Sequence, residues 1–127
     1  MGDVRVLLVD DDVSFAEIIA DQLELLDLRT TVAESGEAAL HLLDKVLPDV
    51  IVLDLNMPGM GGMAVLDRVM AETPEIRIII LTGQRSDGVE LGARRHGAFD
   101  YLRKPVEIPD LMTAIQKAAG HTMEDRE

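Results

Sequence analysis

Four stretches of this chain end in side chains that could do chemistry together. Asp54 follows the apolar run Val50, Ile51, Val52, Leu53, and Asp10, Asp11 and Asp12 follow Val6, Leu7, Leu8, Val9. Thr82 follows Ile78, Ile79, Ile80, Leu81, and Lys104 with Pro105 comes just after the segment Phe99 to Leu102. In open α/β sheets the reactive groups gather beyond the carboxyl ends of the strands, so acids, a hydroxyl and an amine at successive strand ends would share one pocket. Several carboxylates so placed repel one another unless a cation sits among them. A hard divalent ion answers that need. Mg²⁺ takes oxygen ligands and is often held by one or two carboxylates plus a phosphate, and Mn²⁺ is the plausible substitute. No histidine or thiol stands nearby in sequence, which argues against zinc.

Three further features narrow the reaction. Asp10-Asp11-Asp12 stands where a nucleotide-binding protein would carry its glycines, so nucleotide binding is not expected. A strand-end aspartate can act as a nucleophile. A metal ion and a lysine can neutralise charge on a transferred group, and a threonine hydroxyl can donate to one of its oxygens. The residue types point to phosphoryl transfer onto a carboxylate.

Composition sets the limits. The 127 residues suit one domain with one core, and 47% hydrophobic content is ample to build it. Aromatics are only 2%, so that core must come from Val, Ile, Leu, Ala and Met. The absence of Cys excludes disulfides, thiol redox chemistry and Cys-based metal sites. The net charge of −12 argues against direct nucleic-acid binding, and it fits cation binding or a basic partner surface. No apolar stretch is long enough to span a bilayer. The N-terminus runs straight into a strand pattern with no room for a signal peptide, so no membrane association and a cytoplasmic location are expected.

The elements that must position these groups alternate along the chain. Val4 to Val9, Val50 to Leu53 and Ile76 to Leu81 read as strands covered on both faces, as in a parallel sheet. Arg29 to Ala33 is more polar and reads as an edge strand, and Phe99 to Leu102 is the last strand. Helical stripes lie between them. Phe15, Ile18, Ile19, Leu23 and Leu26 share a face, and Ser14 and Glu17 have capping-box spacing. Ala39, Leu42, Leu43 and Val46 follow Ser35, and Val65, Leu66, Val69 and Met70 follow the Gly- and Met-rich loop from Met57 to Met63. Leu111, Ala114, Ile115 and Ala118 make the last stripe, with Pro109 in its first turn. The helix near Asp87 to Arg95 is the weak one, because Gly88 and Gly92 each cost about 1 kcal/mol against Ala. This alternation predicts an α/β three-layer sandwich with right-handed crossovers. Residues 1–120 are expected to form the domain and 121–127 a polar tail that frays.

Val9-Asp10-Asp11-Asp12, Leu53-Asp54-Leu55-Asn56-Met57-Pro58, Leu81-Thr82-Gly83 and Gly97-Ala98-Phe99-Asp100-Tyr101-Leu102-Arg103-Lys104-Pro105 together resemble the receiver domain of two-component response regulators. The resemblance runs from about Val4 to Ala119. It implies a doubly wound, flavodoxin-like fold: a five-stranded parallel sheet in the order 2-1-3-4-5 with five helices. It implies that Asp54 accepts a phosphoryl group from a sensor histidine kinase or a histidine phosphotransfer protein. Asp10 and Asp11 match the acidic pair that holds Mg²⁺, with Asp54 and the backbone carbonyl of Asn56 as further ligands. Lys104 matches the lysine that contacts the phosphoryl group. Thr82 and Tyr101 match the pair that rearranges on phosphorylation and reshapes the face made by the fourth helix, fifth strand and fifth helix. Such a domain promotes its own phosphorylation and dephosphorylation, but it is a switch rather than a turnover enzyme. Its listener would be a downstream protein or a fused output domain. Val106 stands where many members have Phe, and Gly83 where Ala is common; neither touches the chemistry.

Other assignments compete. A hydrolase of the haloacid-dehalogenase type also uses a strand-end aspartate, but it wants a second Asp two residues later, where Asn56 stands, and no stretch of this chain is left to form a cap. An interaction domain whose acids bind nothing would show no response to Mg²⁺. Asp12 is a third acid where the family places two at the metal, so a solvated helix start is its expected role. His41, His96 and His121 are expected to face solvent, and Met57, Met60 and Met63 either pack under their loop or adapt to a partner. Asn56 and Gln84 each lie two residues beyond a site residue, where the family's side chains tune hydrolysis. Two neutral amides there could hold a water near the acyl phosphate. We expect Asn56→Ala or Gln84→Ala to change the spontaneous decay of the phosphorylated protein, followed by intact mass over time; parental decay in both variants would refute the assignment.

Overall fold

The computed structural model describes residues 4–83 and 87–126. Strands β1 (Arg5–Val9), β2 (Arg29–Ala33), β3 (Val50–Leu53), β4 (Arg77–Thr82) and β5 (Asp100–Arg103) alternate with helices α1 (Val13–Leu25), α2 (Gly36–Val46), α3 (Gly62–Glu72), α4 (Asp87–Arg95) and α5 (Ile108–Arg126). The strands form one sheet in the order β2-β1-β3-β4-β5, parallel at every pairing. Fold class and strand order are those expected from the sequence.

The apolar runs fill both layers. Successive side chains of a strand point to opposite faces. Leu7, Val9, Ile51, Leu53, Ile78 and Ile80 therefore pack with Ala39 of α2, Val65, Leu66 and Val69 of α3, and Ala93 of α4. Val6, Leu8, Val50, Val52, Ile79 and Leu81 pack with Ala16, Ile19, Ala20 and Leu23 of α1 and Leu111, Ala114, Ile115 and Ala118 of α5. Each fully buried Val, Leu or Ile contributes about 1.5–3 kcal/mol, so the central strands dominate the stability of the sheet. The polar β2 is an edge strand, buried fully only at Ala33.

Several boundaries and faces differ from the sequence expectation. Strand β4 ends at Thr82 rather than Leu81, and β5 at Arg103 rather than Leu102. The cap of α1 is Asp12, whose Oδ1 accepts the Phe15 N–H at 3.1 Å; Ser14 and Glu17 form no capping box because Ser14 already lies inside the helix. The buried face of α1 is Ala16, Ile19, Ala20 and Leu23, while Ile18 is 58% and Leu26 43% exposed. The sequence pattern weighted large side chains and passed over the two alanines that let α1 lie close to the sheet. Ser35 caps α2 as expected, its Oγ accepting the Ala38 N–H at 3.0 Å. Helix α5 continues through Arg126, so no element ends at the expected start of the tail.

Helix α4 has the predicted span and a thin attachment. Among its described side chains only Ala93 is fully buried, Val89 is partly buried, and Leu91 is 50% exposed. A Cβ added at Gly92 would meet nothing within 4 Å. Gly92→Ala should therefore strengthen α4 by about 1 kcal/mol and slow exchange of its amides by about five-fold. Amide hydrogen exchange checks this, and unchanged α4 protection would show that packing, not the glycine, limits the helix.

Candidate functional site

Three of the predicted site residues, Asp10, Asp54 and Lys104, extend the sheet ladder. The Asp10 N–H donates to the Ala33 carbonyl at 3.0 Å, the Asp54 N–H to the Val9 carbonyl at 3.0 Å, and the Lys104 N–H to the Thr82 carbonyl at 3.0 Å. The ends of β1, β3 and β5 are thus each tied by one more rung to a neighbouring strand. The peptide bond between Lys104 and Pro105 is cis.

These rungs bring the side chains together. Thr82, wholly buried, donates its hydroxyl to Asp54 Oδ1 at 2.7 Å, and the Asn56 N–H reaches the same oxygen at 3.1 Å. Lys104 Nζ donates to Asp10 Oδ2 at 2.7 Å and lies 3.5 Å from Asp54 Oδ2. Asp10 Oδ1 accepts the Asp12 N–H at 2.9 Å. Asp10 and Asp54 are only 1% and 5% exposed, whereas Asp11 stands in solvent. Carboxylate oxygens of Asp10, Asp11 and Asp54 all lie within 4.8 Å of one another.

The electrostatics follow from that packing. Burial is the largest influence on Asp10 and raises its pKa, in spite of the hydrogen bonds from Lys104 and Asp12. Burial acts on Lys104 in the opposite sense, but the hydrogen bond to Asp10 and the charges of Asp10 and Asp54 outweigh it and hold the ammonium above its ordinary pKa. Three carboxylates therefore face one ammonium in this cluster of described residues. The donors are hard oxygens and the excess charge is negative, which suits a hard divalent cation. The residues present fit such an ion.

The remaining predicted residues are distributed as follows. Asn56 is exposed at the loop next to Asp54. Tyr101 points inward and is 6% exposed, and burial raises its pKa. It pairs in register with Ile80, two residues before Thr82, and packs in the core cluster on the α2–α3–α4 face. Gln84 lies outside the described residues. Met57 is buried, and Met60 and, in the first turn of α3, Met63 pack against the same core, so these methionines hold the loop that leads into α3. His41 is exposed; His96 is also exposed but meets Asp67 Oδ1 at 2.7 Å, linking α4 to α3; the side chain of His121 lies outside those described. The sequence reading missed one neighbour: the Phe15 ring, whose centroid is 4.5 Å from Lys104 Nζ. In the sequence Phe15 is one member of the apolar stripe of α1, and nothing in the local pattern marks its approach to the pocket.

The loop after Asp54 is closed by a close backbone approach. A Cβ at Gly62 would run into the Asp54 carbonyl oxygen and lie 2.6 Å from Leu55 Cα, and the Gly62 N–H donates to the Leu55 carbonyl at 3.3 Å. At Gly61 the nearest atom, the Leu55 carbonyl oxygen, is 3.8 Å from an added Cβ. Gly62→Ala should therefore destabilise the fold by about 1–3 kcal/mol through displacement of backbone, whereas Gly61→Ala should cost no more than about 1 kcal/mol. Urea unfolding of the two variants measures the contrast, and equal stabilities would refute the close approach.

Comparison with known proteins agrees with this geometry. Residues 6–116 match the family model described as the response regulator receiver domain. The chain is 34% identical over 122 residues to the DNA-binding transcriptional regulator NtrC of Escherichia coli, covering 96% of this chain and 26% of that protein. It resembles the receiver domain of the Francisella response regulator 1452 with a TM-score of 0.88 and 32% identity, over 94% of this chain and 99% of that one. It also matches NtrX from Brucella abortus, with a TM-score of 0.92 and 25% identity over 98% of this chain and 29% of that one. The chain thus spans about a quarter of the length of the NtrC regulators it matches. Family match, strand order and the acids gathered at the strand ends converge, and the chain belongs to the response regulator receiver domains, the phosphoacceptor switches of two-component signalling.

Proposed function

We propose that Asp54 is the phosphoacceptor of this receiver and that a histidine-phosphorylated protein, a sensor kinase or a phosphotransfer protein, is the donor. The observation that carries the assignment is the pair of donors on one buried carboxylate, the Thr82 hydroxyl at 2.7 Å and the Lys104 ammonium at 3.5 Å. Asp54 Oδ1 is engaged by Thr82 and the Asn56 N–H, while among the described residues Oδ2 has only the long Lys104 contact and so carries the freer lone pairs. Attack by that oxygen forms a P–O bond as the P–N bond to the donor imidazole breaks, and the imidazole leaves with a proton. Lys104 then balances charge on the transferred group, and the Thr82 hydroxyl donates to one of its oxygens. Asp10, Asp11, Asp54 and the Asn56 carbonyl would hold Mg²⁺, with Mn²⁺ as a substitute. When bound, that ion supplies Lewis-acid neutralisation of the phosphoryl oxygens. Asn56 and Gln84 are assigned to the tuning of hydrolysis.

The output follows from the same hydroxyl. Once Thr82 turns from Asp54 to a phosphoryl oxygen, Tyr101 and the α4–β5 face must readjust. That face is tied by exposed ion pairs, Arg94 to Glu90 at 3.1 Å, Arg94 to Asp100 at 3.3 Å and Arg103 to Glu90 at 3.7 Å. Exposed pairs contribute only about 0.2–1 kcal/mol each, so they can exchange without much cost. The reader of this face is a downstream protein or an output region like those that extend the longer relatives. The relay is assigned to the cytoplasm, with residues 1–120 as the switching unit.

Incubation with phosphoramidate and Mg²⁺, followed by intact mass, tests the chemistry. We expect one adduct of about 80 Da, a single phosphoryl group, that is absent in Asp54→Ala and strongly reduced when Mg²⁺ is chelated. An adduct that persists in Asp54→Ala would move the acceptor elsewhere.

A further inference from the structure

Among the described residues the Lys104 ammonium has three neighbours in the pocket, two carboxylates and a ring. Asp10 accepts a short hydrogen bond, Asp54 a long one, and the Phe15 ring lies with its centroid 4.5 Å from Nζ. That ring distance is within the range in which an aromatic quadrupole attracts a cation. Phe15 is held where it can do this. It sits in the first turn of α1, its N–H bonded to Asp12 Oδ1, and its side chain is half-buried against the core on the α1–α5 face. The same short segment carries Asp10 and Asp11, so the ring and the acids are anchored on adjacent backbone. The lysine side chain is 23% exposed, and the ring covers part of it.

The kinds of attraction differ in what they demand. A hydrogen bond to Asp10 or Asp54 fixes the direction of one N–H, whereas attraction to a ring face depends mainly on where the charge sits. We propose that Phe15 is a positioning residue for phosphoryl transfer, its ring keeping the Lys104 ammonium at the pocket while the N–H groups exchange carboxylate oxygens for phosphoryl oxygens. This role rests on the assignment of Lys104 as the phosphoryl contact. It matters most when Asp10 is drawn toward a cation, because the ring is then the neighbour of Lys104 that neither ion nor phosphoryl group engages.

A ring that merely fills space can be separated from one that attracts charge by fluorination, which drains the quadrupole while largely keeping the shape. Phe15 is replaced site-specifically by mono-, di- and trifluorophenylalanine, and separately by Tyr and by Leu. Phosphorylation is driven by phosphoramidate with Mg²⁺, so that no kinase contact enters the rate. The logarithm of the rate constant should fall stepwise with fluorine, by about two- to five-fold in total, with Phe15→Tyr close to the parent and Phe15→Leu at or below the trifluoro variant. A second readout needs no reaction. In the unphosphorylated, metal-free protein the Lys104 ε-methylene protons should carry an upfield ring-current shift that Phe15→Tyr keeps and Phe15→Leu loses. A phosphorylated parent with a flat fluorine series, or Lys104 protons without a ring-current shift, overturns the role of Phe15 alone. A parent that gains no phosphoryl group overturns the assignment of Asp54 and Lys104, and this role with it.

Discussion

The structure depends on keeping buried acids next to one another. Asp10 and Asp54 lie almost wholly out of solvent, with Asp11 beside them, and Lys104 pairs with both. Burying a charge costs several kcal/mol unless it is paired and hydrogen-bonded. Burial pushes the Asp10 carboxyl up in spite of the Lys104 ammonium at 2.7 Å, and three acids share that one ammonium among the described residues. That shortfall is the useful property of the pocket. Folding leaves this cluster with more acids than ammonium groups among the described residues, the arrangement a divalent cation would relieve. Binding and reactivity therefore derive from a local stability deficit.

The sheet can carry that deficit because it fixes the site through backbone. Asp10, Asp54 and Lys104 each add one hydrogen bond beyond a strand end, to Ala33, Val9 and Thr82 respectively. Their Cα positions follow the register of β1, β2, β3, β4 and β5, whose inner residues are among the most buried in the chain. The loop after Asp54 is pinned as well, by buried Leu55 and Met57 and by the contact at Gly62. Side-chain repulsion at the carboxyl edge thus works against a scaffold that cannot yield without breaking ladder bonds. A site placed on free loops would relax by spreading its acids apart.

How far this was legible in the sequence follows from which interactions are local. Strands were readable because both faces of β1, β3 and β4 are apolar, and their order made Asp10, Asp54, Thr82 and Lys104 converge. The α2 cap was readable at Ser35, where one hydroxyl stands just before an apolar stripe. The start of α1 was less so, because Asp12 and Ser14 are both competent caps and the choice lies in where β1 stops, which pairing with β2 and β3 decides. The face of α1 was misread at Ile18 and Leu26 because close approach to a sheet favours alanine over leucine, a preference invisible to a count of large apolar residues. The approach of Phe15 to Lys104 spans almost the whole chain and depends on the angle at which α1 leaves Asp12, and no local pattern encodes it.

The same contrast between fixed and yielding parts explains how a small chemical change could travel. Thr82 is the last residue of β4 and is completely buried, so its backbone is immobilised while its hydroxyl is free to choose between partners. On one side it touches Asp54. On the other, its strand is paired with β5, which carries Tyr101 in the core and Asp100 and Arg103 in the ion pairs that hold α4. Helix α4 has one fully buried side chain among those described and Gly92 in its middle, so it is thinly attached to that strand. A rigid sheet transmits a change of hydrogen-bond partner poorly through its own backbone. It transmits it better to a neighbour held by polar links that are each weaker than a single hydrogen bond to a charged group, about 1.5–3 kcal/mol. The ion pairs between α4 and β5 fall below that value individually. If Asp54 is the phosphoacceptor, signalling would run from Asp54 through Thr82 toward α4, whose described side chains are the least buried.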